Sequence, residues 1–300
     1  MPLVYFISGS KYEAPDNETI YLINTLKERG LKSSVEAWDN PKVDWGKADL
    51  CIHRNSPYFL APKKFLEWAK NIEKNTTVWN SYKVTEWNHN KRYLLDLHDE
   101  GVPIPPTLLI EQDATESLSF YLEEKNWSEI VLKPTITAGS LGLIRVNADS
   151  IEAEKHFQNI NKKGITQDIP NAGTYTIPPC DTLVQQYMPE IISAGEVSLI
   201  FFGGLYSHSV IKKVKSGDFR AHPLWGADVE PYKVSDVERV VADSALDIVG
   251  DFIHFARVDL LNLKSGPVII EVELIEPWLF FDYFPDTVNT YADHIANFFK

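Results

Sequence analysis

The stretch Ala256–Pro277, with the sequence ARVDLLNLKSGPVIIEVELIEP, constrains the fold of this chain more than any other. Two runs of apolar and β-branched residues flank a short loop at Ser265, a pattern typical of a β-hairpin. Folding about that loop places Asp259 opposite Glu271, and the two-residue period of a strand puts Glu273 on the same face. The sequence therefore predicts that three carboxylates converge.

The predicted carboxylate cluster needs positive charge to offset the repulsion within it. A hard divalent cation is the natural candidate, because Mg²⁺ prefers carboxylate oxygens and is often shared with substrate phosphates. The alternative is an ordinary solvated strand face, since charged side chains are mostly exposed. Arg257 stands two residues before Asp259, and further basic residues lie upstream. These cations favour a phosphate-binding site beside the cluster.

Charge and composition argue against several classes of function. The chain carries 42 acidic and 29 basic residues, whereas nucleic acids and anionic membranes are bound by basic surfaces. No apolar run approaches the ~20 residues of a membrane span, and the first residues lack the regions of a signal peptide. The 2 cysteines form no metal-binding or redox pattern. We expect a cytoplasmic protein of about two domains that binds neither nucleic acid nor membrane.

The first hundred residues alternate between predicted strands and helices, the pattern of a parallel sheet with helices on its faces. The predicted strands lie at 3–8, 33–37, 49–53 and 77–79. The first helix should turn Ile20 and Leu26 inward. Ligands of such sheets lie beyond the carboxyl ends of the strands, so Ser8 and Arg54 are candidates to bind a substrate. The alternative is that both belong to ordinary turns.

Two lysines before the hairpin are candidates to bind phosphates, and for Lys91 the alternative is an ordinary solvated residue. Lys91 lies on a predicted helix over 86–99, and Lys133 leaves a predicted strand just before a loop that contains Gly139 and Gly142. The amine of Lys133 supplies charge there, and the glycines let backbone N–H groups approach a ligand closely. The spacing matches neither a Walker A loop nor a dinucleotide fingerprint.

The remaining elements alternate in the same way. A helix is predicted at 150–161, then a polar loop up to a strand at 182–188, then two strands on either side of Gly203 and Gly204. The capping box at Ser235 opens a helix that should turn Val237, Val240 and Phe252 inward. We expect the aromatic run 278–284 to belong mainly to the core.

The motifs taken together resemble the ATP-grasp superfamily, which includes glutathione synthetase, D-alanine–D-alanine ligase and ribosomal-protein glutamate ligase. The shared features are R-x-D followed by E-x-E, the lysine and G-V-P-I-P linker, the loop TITAGSLGL and the GDFR segment. The ending EVELIEP resembles the branch that closes the ring of D-cycloserine. The resemblance implies an α/β fold: a small doubly wound parallel-sheet domain at 1–100, then an ATP-grasp fold of α+β type with lobes at 101–188 and 189–300.

The resemblance also implies roles for individual residues. The nucleotide would be bound by Lys91, Lys133, Gly139, Ser140, Gly142, Gln185, Gln186, Tyr187, Met188 and Glu196. The metal ligands would be Asp259, Glu271 and Glu273, and the catalytic cations Lys212, Arg220 and Arg257. Candidates for binding substrate are Ser8, Arg54 and His222. Two departures stand out: Glu273 occupies a position where many relatives have Asn, and AHPLWGAD follows Arg220.

The activity implied is ATP-dependent joining of a small carboxylate to an amine or similar nucleophile, with Mg²⁺ or Mn²⁺, in a monomer or homodimer. The carboxylate would pass through an acyl phosphate. Three alternatives stay open at this point. A ring-closing enzyme would use an internal nucleophile, a nucleotide-binding regulator would release no ADP in response to substrate, and a kinase would leave a stable phosphorylated product.

Overall fold

The computed structural model describes residues 1–12, 14–169 and 173–300. Its N-terminal strands are β1 (Leu3–Ser8), β2 (Lys32–Ala37), β3 (Leu50–Asn55) and β4 (Thr77–Trp79), and its first helices are α1 (Asn17–Glu28) and α2 (Pro62–Ile72). The four strands form a parallel sheet in the order β2-β1-β3-β4. The predicted parallel-sheet domain is therefore confirmed.

Helix α1 begins at Asp16, whose side chain accepts a hydrogen bond from the backbone of Thr19 (2.6 Å). The prediction that Ile20 turns inward was wrong, because Ile20 is exposed. Glu18 points inward instead, and its carboxylate binds the Arg54 guanidinium of β3 at 2.7 Å. An ion pair therefore takes the place of an apolar contact between this helix and the sheet.

The single linker helix predicted over 86–99 is wrong, because the chain forms two helices there, α3 (Tyr82–Asn88) and α4 (Tyr93–Asp99). The amide side chain of Asn88 bonds a backbone carbonyl and a backbone N–H of the C-terminal hairpin, at 2.7 and 2.8 Å. These bonds hold the end of the first helix against the hairpin. Lys91 lies in the break between the two helices rather than on a helix.

The middle of the chain forms an antiparallel sheet in the order β5-β10-β6-β7, with β5 (Thr107–Ile110), β6 (Glu129–Pro134), β7 (Ile144–Asn147) and β10 (Thr182–Gln186). Helices α5 (Leu118–Leu122) and α6 (Ile151–Gln158) accompany it, and a π-helical turn (Asn159–Lys163) extends α6. The predicted strands at Lys133 and at Gln185 are confirmed. They are neighbours in the sheet, with Leu183 paired to Lys133.

A two-stranded hairpin was missed in the segment predicted as a polar loop before residue 182. It consists of β8 (Ile165–Ile169) and β9 (Gly173–Ile177), which pair antiparallel. Polar residues dominate both strands, so the apolar alternation is weak in sequence. Burial of Ile169, Tyr175 and Ile177 against the N-terminal domain stabilises the two strands, and this packing cannot be predicted from the local sequence pattern.

The C-terminal part forms a five-stranded antiparallel sheet in the order β13-β12-β11-β14-β15. The strands are β11 (Glu196–Phe202), β12 (Leu205–Lys213), β13 (Asp228–Pro231), β14 (Phe255–Leu263) and β15 (Gly266–Glu273). The helices are α7 (Glu190–Ser193), α8 (Asp236–Asp247) and α9 (Thr287–Asn297), with a short 3₁₀ turn at Pro223–Trp225. Two further 3₁₀ turns, Trp45–Lys47 and Tyr58–Leu60, lie in the N-terminal domain. The opening hairpin of the sequence is thus β14 and β15, as predicted.

Helix α8 begins with the predicted capping box between Ser235 and Glu238. Its inward face differs from the prediction, because Val237, Val240 and the following Phe252 are exposed. Small residues on the other face, among them Ala242, are fully buried. The prediction assigned the buried side to the larger apolar residues, whereas alanines let the helix lie close to the sheet.

The aromatic run after the hairpin joins the N-terminal and C-terminal sheets. Phe281 and Tyr291 pack in one core with Phe6 of β1 and Phe202 of β11. The expectation that this run is mainly core holds for its buried members, whereas Trp278 is partly exposed. Among the described residues, no helix is long and apolar enough to cross a membrane. The domain boundaries at 100 and 188 stay a prediction.

Candidate active site

The hairpin of β14 and β15 brings the three predicted carboxylates together. Asp259 pairs with Glu271 and Arg257 with Glu273 across the two strands. Asp259, Glu271 and Glu273 each offer one oxygen, and these atoms all lie within 4.8 Å of one another. The pairing of the two strands contains a bulge just after Asp259. The regular alternation of side chains between the two faces is therefore kept at the three carboxylates and shifts only beyond them.

The guanidinium of Arg257 holds two of these carboxylates. It donates a hydrogen bond to Asp259 at 2.9 Å and forms an ion pair with Glu273 at 2.6 Å. Burial by itself raises the pKa of Asp259, but Arg257 and Lys212 more than offset it, so this pKa lies below its ordinary value. Burial raises the pKa of Glu273 to about 7, and the attraction of Arg257 offsets the effect only in part. The two carboxylates therefore differ in how readily they hold a negative charge.

Lys212 lies between the cluster and Glu196. The sheet register pairs Glu196 with Lys212, and the Lys212 amine contacts both the Glu196 carboxylate and Asp259, the latter at 3.3 Å. Ser198 donates a further hydrogen bond to Asp259 at 2.6 Å. Burial raises the pKa of Glu196 to about 7, although the neighbouring Lys212 opposes the shift. Lys212 thus bonds directly to two acidic residues of the site.

Lys91 reaches the cluster from the break between α3 and α4. Its amine donates to the carbonyl of Thr137 (2.8 Å) and pairs with Glu271 (2.7 Å). Burial would raise the pKa of Glu271, but Lys91 offsets it and the pKa is lowered. The break between the two helices places this one lysine in contact with both the loop after β6 and strand β15.

The loop after β6 is shaped for close approach of its backbone to a ligand. Gly139, Ser140 and Gly142 all have positive φ, between 58° and 72°. A side chain at Gly142 would lie within 2.8 Å of Pro134, so glycine is required there for space as well as for conformation. Lys133 is buried beside the loop, and burial lowers the pKa of its amine to about 8.

A smaller cavity of about 110 Å³ lies between the middle and C-terminal sheets. Nine predicted site residues line it: Lys133, Ser140, Gln185, Gln186, Tyr187, Met188, Glu196, Arg220 and Glu271. Most are polar side chains, but Tyr187 and Met188 form an apolar part together with Leu261 and Ile270. The cavity therefore combines an apolar surface with an end that carries both basic and acidic side chains.

Arg220 ties two loops together at the edge of this cavity. Its guanidinium binds Asp218 (2.6 Å) and stacks on the ring of Trp225, 3.5 Å from the ring centroid. The Trp225 indole in turn donates to the carbonyl of Gly139 (2.9 Å). Burial opposes ionisation of Asp218, yet Arg220 lowers its pKa to about 2. The segment AHPLWGAD, flagged in the sequence as a departure, therefore packs against the glycine loop.

A larger cavity of about 520 Å³ lies between the N-terminal domain and the C-terminal sheet. Five predicted residues line it: Arg54, Gly139, His222, Arg257 and Glu273. The Arg54 guanidinium is already bonded to Glu18 and to the carbonyl of Pro277 (3.1 Å). His222 is neutral near pH 7, because burial lowers its pKa to about 3, and its Nδ1 accepts a hydrogen bond from Leu224.

The two cavities meet at the carboxylate cluster. Along the glycine loop, Gly139 lines the larger cavity and Ser140 the smaller one. Along β15, Glu271 lines the smaller cavity and Glu273 the larger one. The same strand and the same loop therefore form the wall between the two spaces, and a group bound at the cluster would face both.

Five predicted residues line neither of these two cavities: Ser8, Lys91, Gly142, Lys212 and Asp259. Lys91, Lys212 and Asp259 contact residues that do. Gly142 borders a third cavity of about 310 Å³. Ser8 is buried at the end of β1, where its carbonyl accepts from the backbone of Trp38 (2.8 Å). Its role in binding substrate stays a prediction without support from the geometry.

Sequence reasoning assigned no role to Trp225 or Glu276. Trp225 belongs to the segment AHPLWGAD that the sequence marks as a departure, five residues after Arg220, but no contact of its ring could be inferred from that position. Glu276 belongs to the quoted ending EVELIEP, but the period of two in the strand ends before it and gave no reason to assign it a site. It lines the larger cavity.

Comparison with protein families agrees with this architecture. Residues 96–275, more than half of the chain, match the model of the RimK-like ATP-grasp domain. Residues 4–80 match the model of the N-terminal domain of the D-cycloserine synthetase DcsG. The two matches cover the parallel sheet and the two antiparallel sheets in the expected order.

Individual relatives extend over nearly the whole chain. The cycloserine biosynthesis protein DcsG of Streptomyces lavendulae is 26% identical over 296 residues, which is 93% of each chain. The crystal structure of D-cycloserine synthetase DcsG superposes with a TM-score of 0.83 at 23% identity, over 99% of this chain and 100% of that one. D-alanine–D-alanine ligase of Bacillus anthracis complexed with ATP superposes with a TM-score of 0.67 at 14% identity, over 99% and 97%. The chain belongs to the RimK-like ATP-grasp family and is a carboxylate–amine ligase similar to DcsG.

Proposed function

We propose that this enzyme uses ATP and Mg²⁺, or Mn²⁺, to activate a small carboxylate as an acyl phosphate, which an amine or similar nucleophile converts to an amide or peptide bond. The observation that carries the proposal is the position of the carboxylate cluster in the wall between two cavities. Two reactants bound on opposite sides of that wall would meet at the cluster, which is the arrangement that proximity catalysis needs.

The smaller cavity is the proposed nucleotide site. Gln185 and Gln186 at the end of β10, with Tyr187 and Met188 after them, would bind the base, and Glu196 the ribose. Lys133 and the positive-φ loop would bind the phosphates, because an amine and backbone N–H groups together form an anion site. D-alanine–D-alanine ligase with bound ATP has the same fold.

The donors present fit a hard divalent cation. Asp259, Glu271 and Glu273 offer carboxylate oxygens, the ligands that Mg²⁺ prefers, and they lie close enough for one or two ions. Glu273 adds a negative charge where many relatives have a neutral Asn, so the cluster should depend more strongly on a bound cation. Bound Mg·ATP supplies the phosphoryl group that turns a carboxylate oxygen into a good leaving group.

The basic residues around the cluster would orient the phosphates and neutralise their negative charge. Lys91, Lys212 and Arg257 each bond a cluster carboxylate, so their charges lie within reach of phosphate oxygens held there. Arg257 also lines the larger cavity, where it would stabilise negative charge that develops on the activated carbonyl. Arg220, held by Asp218 and Trp225, would face the terminal phosphate from the smaller cavity.

A ring-closing reaction is the second candidate. It is favoured by the similarity to DcsG over 93% of both chains, since that relative is named for cycloserine biosynthesis. The same cavities would serve, with the nucleophile on the same molecule as the carboxylate. The mass of the product separates the two reactions, because ring closure joins no second substrate. The cytoplasmic location and the monomeric or homodimeric state stay predictions.

The experiment that tests the proposal is ADP release in the presence of Mg²⁺ and pools of amino acids and small carboxylates, with hydroxylamine added to trap an acyl phosphate. The proposal predicts ADP together with a hydroxamate, and dividing the pools identifies the carboxylate. ADP with a stable phosphorylated product and no hydroxamate would mean a kinase. Failure to bind ATP would contradict the assignment of the smaller cavity.

A further inference from the structure

The larger cavity has an excess of acidic side chains. Among the described residues that line it are five carboxylates, Asp16, Glu18, Glu273, Glu276 and Asp282, and two basic residues, Arg54 and Arg257. A cavity built to receive a substrate by its carboxylate would show the opposite balance, because like charges in a confined space repel. The charges therefore point away from recognition of an anion at this surface.

Both guanidinium groups of the cavity are bonded to carboxylates of the protein. Arg54 contacts Glu18 at 2.7 Å, and Arg257 contacts Glu273 at 2.6 Å. Within the described parts of the chain, Glu276 forms no ion pair. Burial and the neighbouring Glu273 raise the pKa of Glu276 well above its ordinary value. A carboxylate in such a place is satisfied by a cation or a strong hydrogen-bond donor that enters the cavity.

Aromatic rings form much of the remaining wall, namely Tyr12, Tyr58, Phe59, Tyr175 and Trp278. The faces of such rings attract ammonium groups. The protein already uses one of them in this way, because the exposed Lys11 places its amine 4.5 Å from the ring centroid of Tyr175. Glu276 has a backbone hydrogen bond from Ser56 but no cationic partner among the described residues. A wall of rings around such a carboxylate suits a small organic cation.

We propose that the substrate in the larger cavity is an amino-acid-sized molecule whose protonated amine binds the Glu276 carboxylate between the aromatic rings, while its own carboxylate faces the cluster. The position of the substrate carboxylate in this inference rests on the proposed function. Glu273 is the last residue of β15 and Glu276 follows it by three residues, so the segment just after the strand would bind the amine while the cluster beside it faces the reacting group. Arg54, which the sequence predicts to bind substrate, lines the same cavity and is bonded to Glu18 of helix α1; its role in binding substrate stays a prediction.

The test measures binding of two matched probes to the full chain with Mg²⁺ and a non-hydrolysable ATP analogue. Alaninamide carries the protonated amine without a carboxylate, and N-acetylalanine carries the carboxylate without a protonated amine. Both enantiomers of each probe are used. Ligand-observed NMR titration gives the dissociation constants. The variants are Glu276→Gln and, as a matched control, Asp286→Asn, which removes an exposed carboxylate of the same segment outside the cavity.

The wild type is expected to bind one enantiomer of alaninamide at least about tenfold more tightly than N-acetylalanine, since a buried charged hydrogen bond contributes this much. Glu276→Gln should lose about tenfold or more for alaninamide only, and Asp286→Asn should match the wild type. Equal binding of both probes, no binding of alaninamide, or an unaffected Glu276→Gln variant would overturn the inference.

Binding of the ATP analogue, measured by calorimetry in the same samples, keeps the two proposals apart. If the analogue binds and the cation preference is absent, this inference fails while the ligase assignment stands. If the cation preference is present and the analogue does not bind, the proposed function fails. Unchanged affinity of Glu276→Gln for the analogue also shows that the variant is folded.

Discussion

The smaller and the larger cavity were predictable from sequence to very different degrees. Nine expected residues line the smaller cavity, and they come from short motifs at strand ends and in one loop. The larger cavity is lined by residues from the N-terminal helix, the β8–β9 hairpin, the loop after Arg220 and the segment after β15. Binding of phosphate and metal demands fixed residue types at fixed spacing, whereas a substrate pocket is assembled from side chains that are far apart in sequence.

The contrast extends to charge. The smaller cavity is lined by two basic residues, Lys133 and Arg220, and by two acidic ones, Glu196 and Glu271, so its charges balance; Arg220 is bonded to Asp218, whereas Lys133 forms no ion pair among the described residues. In the larger cavity the cations are bonded to carboxylates of the protein and Glu276 has no cation among the described residues. One strand, β15, contributes to both spaces through Glu271 and Glu273. The two proposals therefore place an anion, the nucleotide, on one side of this wall and a cation, the substrate amine, on the other.

The largest effect is expected from Glu271→Gln, which removes a metal ligand from the wall itself. Turnover should fall about 10³- to 10⁴-fold, because a bound metal contributes several kcal/mol to the transition state. The unfolding midpoint should change little, because the loss of the ion pair with Lys91 is offset by relief of the repulsion among the three clustered carboxylates. Steady-state ADP release and thermal unfolding measure both. Glu230→Gln, which changes an exposed carboxylate, is the control. Turnover retained in a folded Glu271→Gln variant would contradict the metal assignment.

Arg54→Gln tests whether the larger cavity binds a carboxylate through its arginine. We expect the free energy of unfolding to fall by about 3 kcal/mol, because the buried Glu18 loses its partner. The exposed pair of Lys213 and Glu230 gives the control, where Lys213→Gln should cost less than about 1 kcal/mol. Denaturant unfolding measures both variants. A stable Arg54→Gln protein with a raised KM for its carboxylate substrate would restore the sequence prediction.

These two experiments mark where sequence reasoning succeeded and where it could not. The pairing of Asp259 with Glu271 follows from strand periodicity and one turn, and the structure confirms it. The partner of Arg54 is Glu18, 36 residues earlier on a helix whose apolar pattern favoured Ile20 as the inward residue. Such a pairing is decided by tertiary packing, and the sequence next to either residue does not predict it.

The same limit explains the other differences. Asn88 ends a helix through bonds to a strand almost two hundred residues later, so local helix propensity gave no sign of the break at Lys91. The β8–β9 hairpin is polar in sequence and is held by packing on the N-terminal domain. Trp225 contacts Gly139, 86 residues away, across the mouth of the site. Local periodicity predicts elements, and long-range contacts decide their ends and faces.

A smaller effect is expected from the pH dependence of ATP binding at Lys133. Burial lowers the pKa of this amine to about 8, so it is charged below that pH and neutral above it. Affinity for ATP should therefore fall, by about tenfold, as the pH rises from 7.5 to 9.5. Calorimetric titrations at several pH values measure it. In Lys133→Arg the affinity should be flat over this range, because guanidinium stays protonated, and parallel profiles in both proteins would contradict the assignment.

The smallest effect is expected from Trp225→Phe, which removes the hydrogen bond to Gly139 and keeps a ring against Arg220. The KM for ATP should rise about two- to tenfold, the contribution of one hydrogen bond, with little change in the unfolding midpoint. Trp127→Phe, outside both cavities, should change neither quantity. A KM for ATP that is the same in both variants would mean that the contact does not order the glycine loop.

The most direct test of the account is to follow the oxygen atoms of the carboxylate substrate found in the hydroxamate screen. With both carboxylate oxygens labelled with ¹⁸O, the account predicts one ¹⁸O in the phosphate released per turnover, measured by mass spectrometry, because the acyl phosphate breaks at its carbonyl carbon. Wild-type protein should release the labelled phosphate, whereas Glu271→Gln, which should turn over very slowly, should release almost none. Released phosphate without label would contradict activation of the carboxylate at the wall between the two cavities.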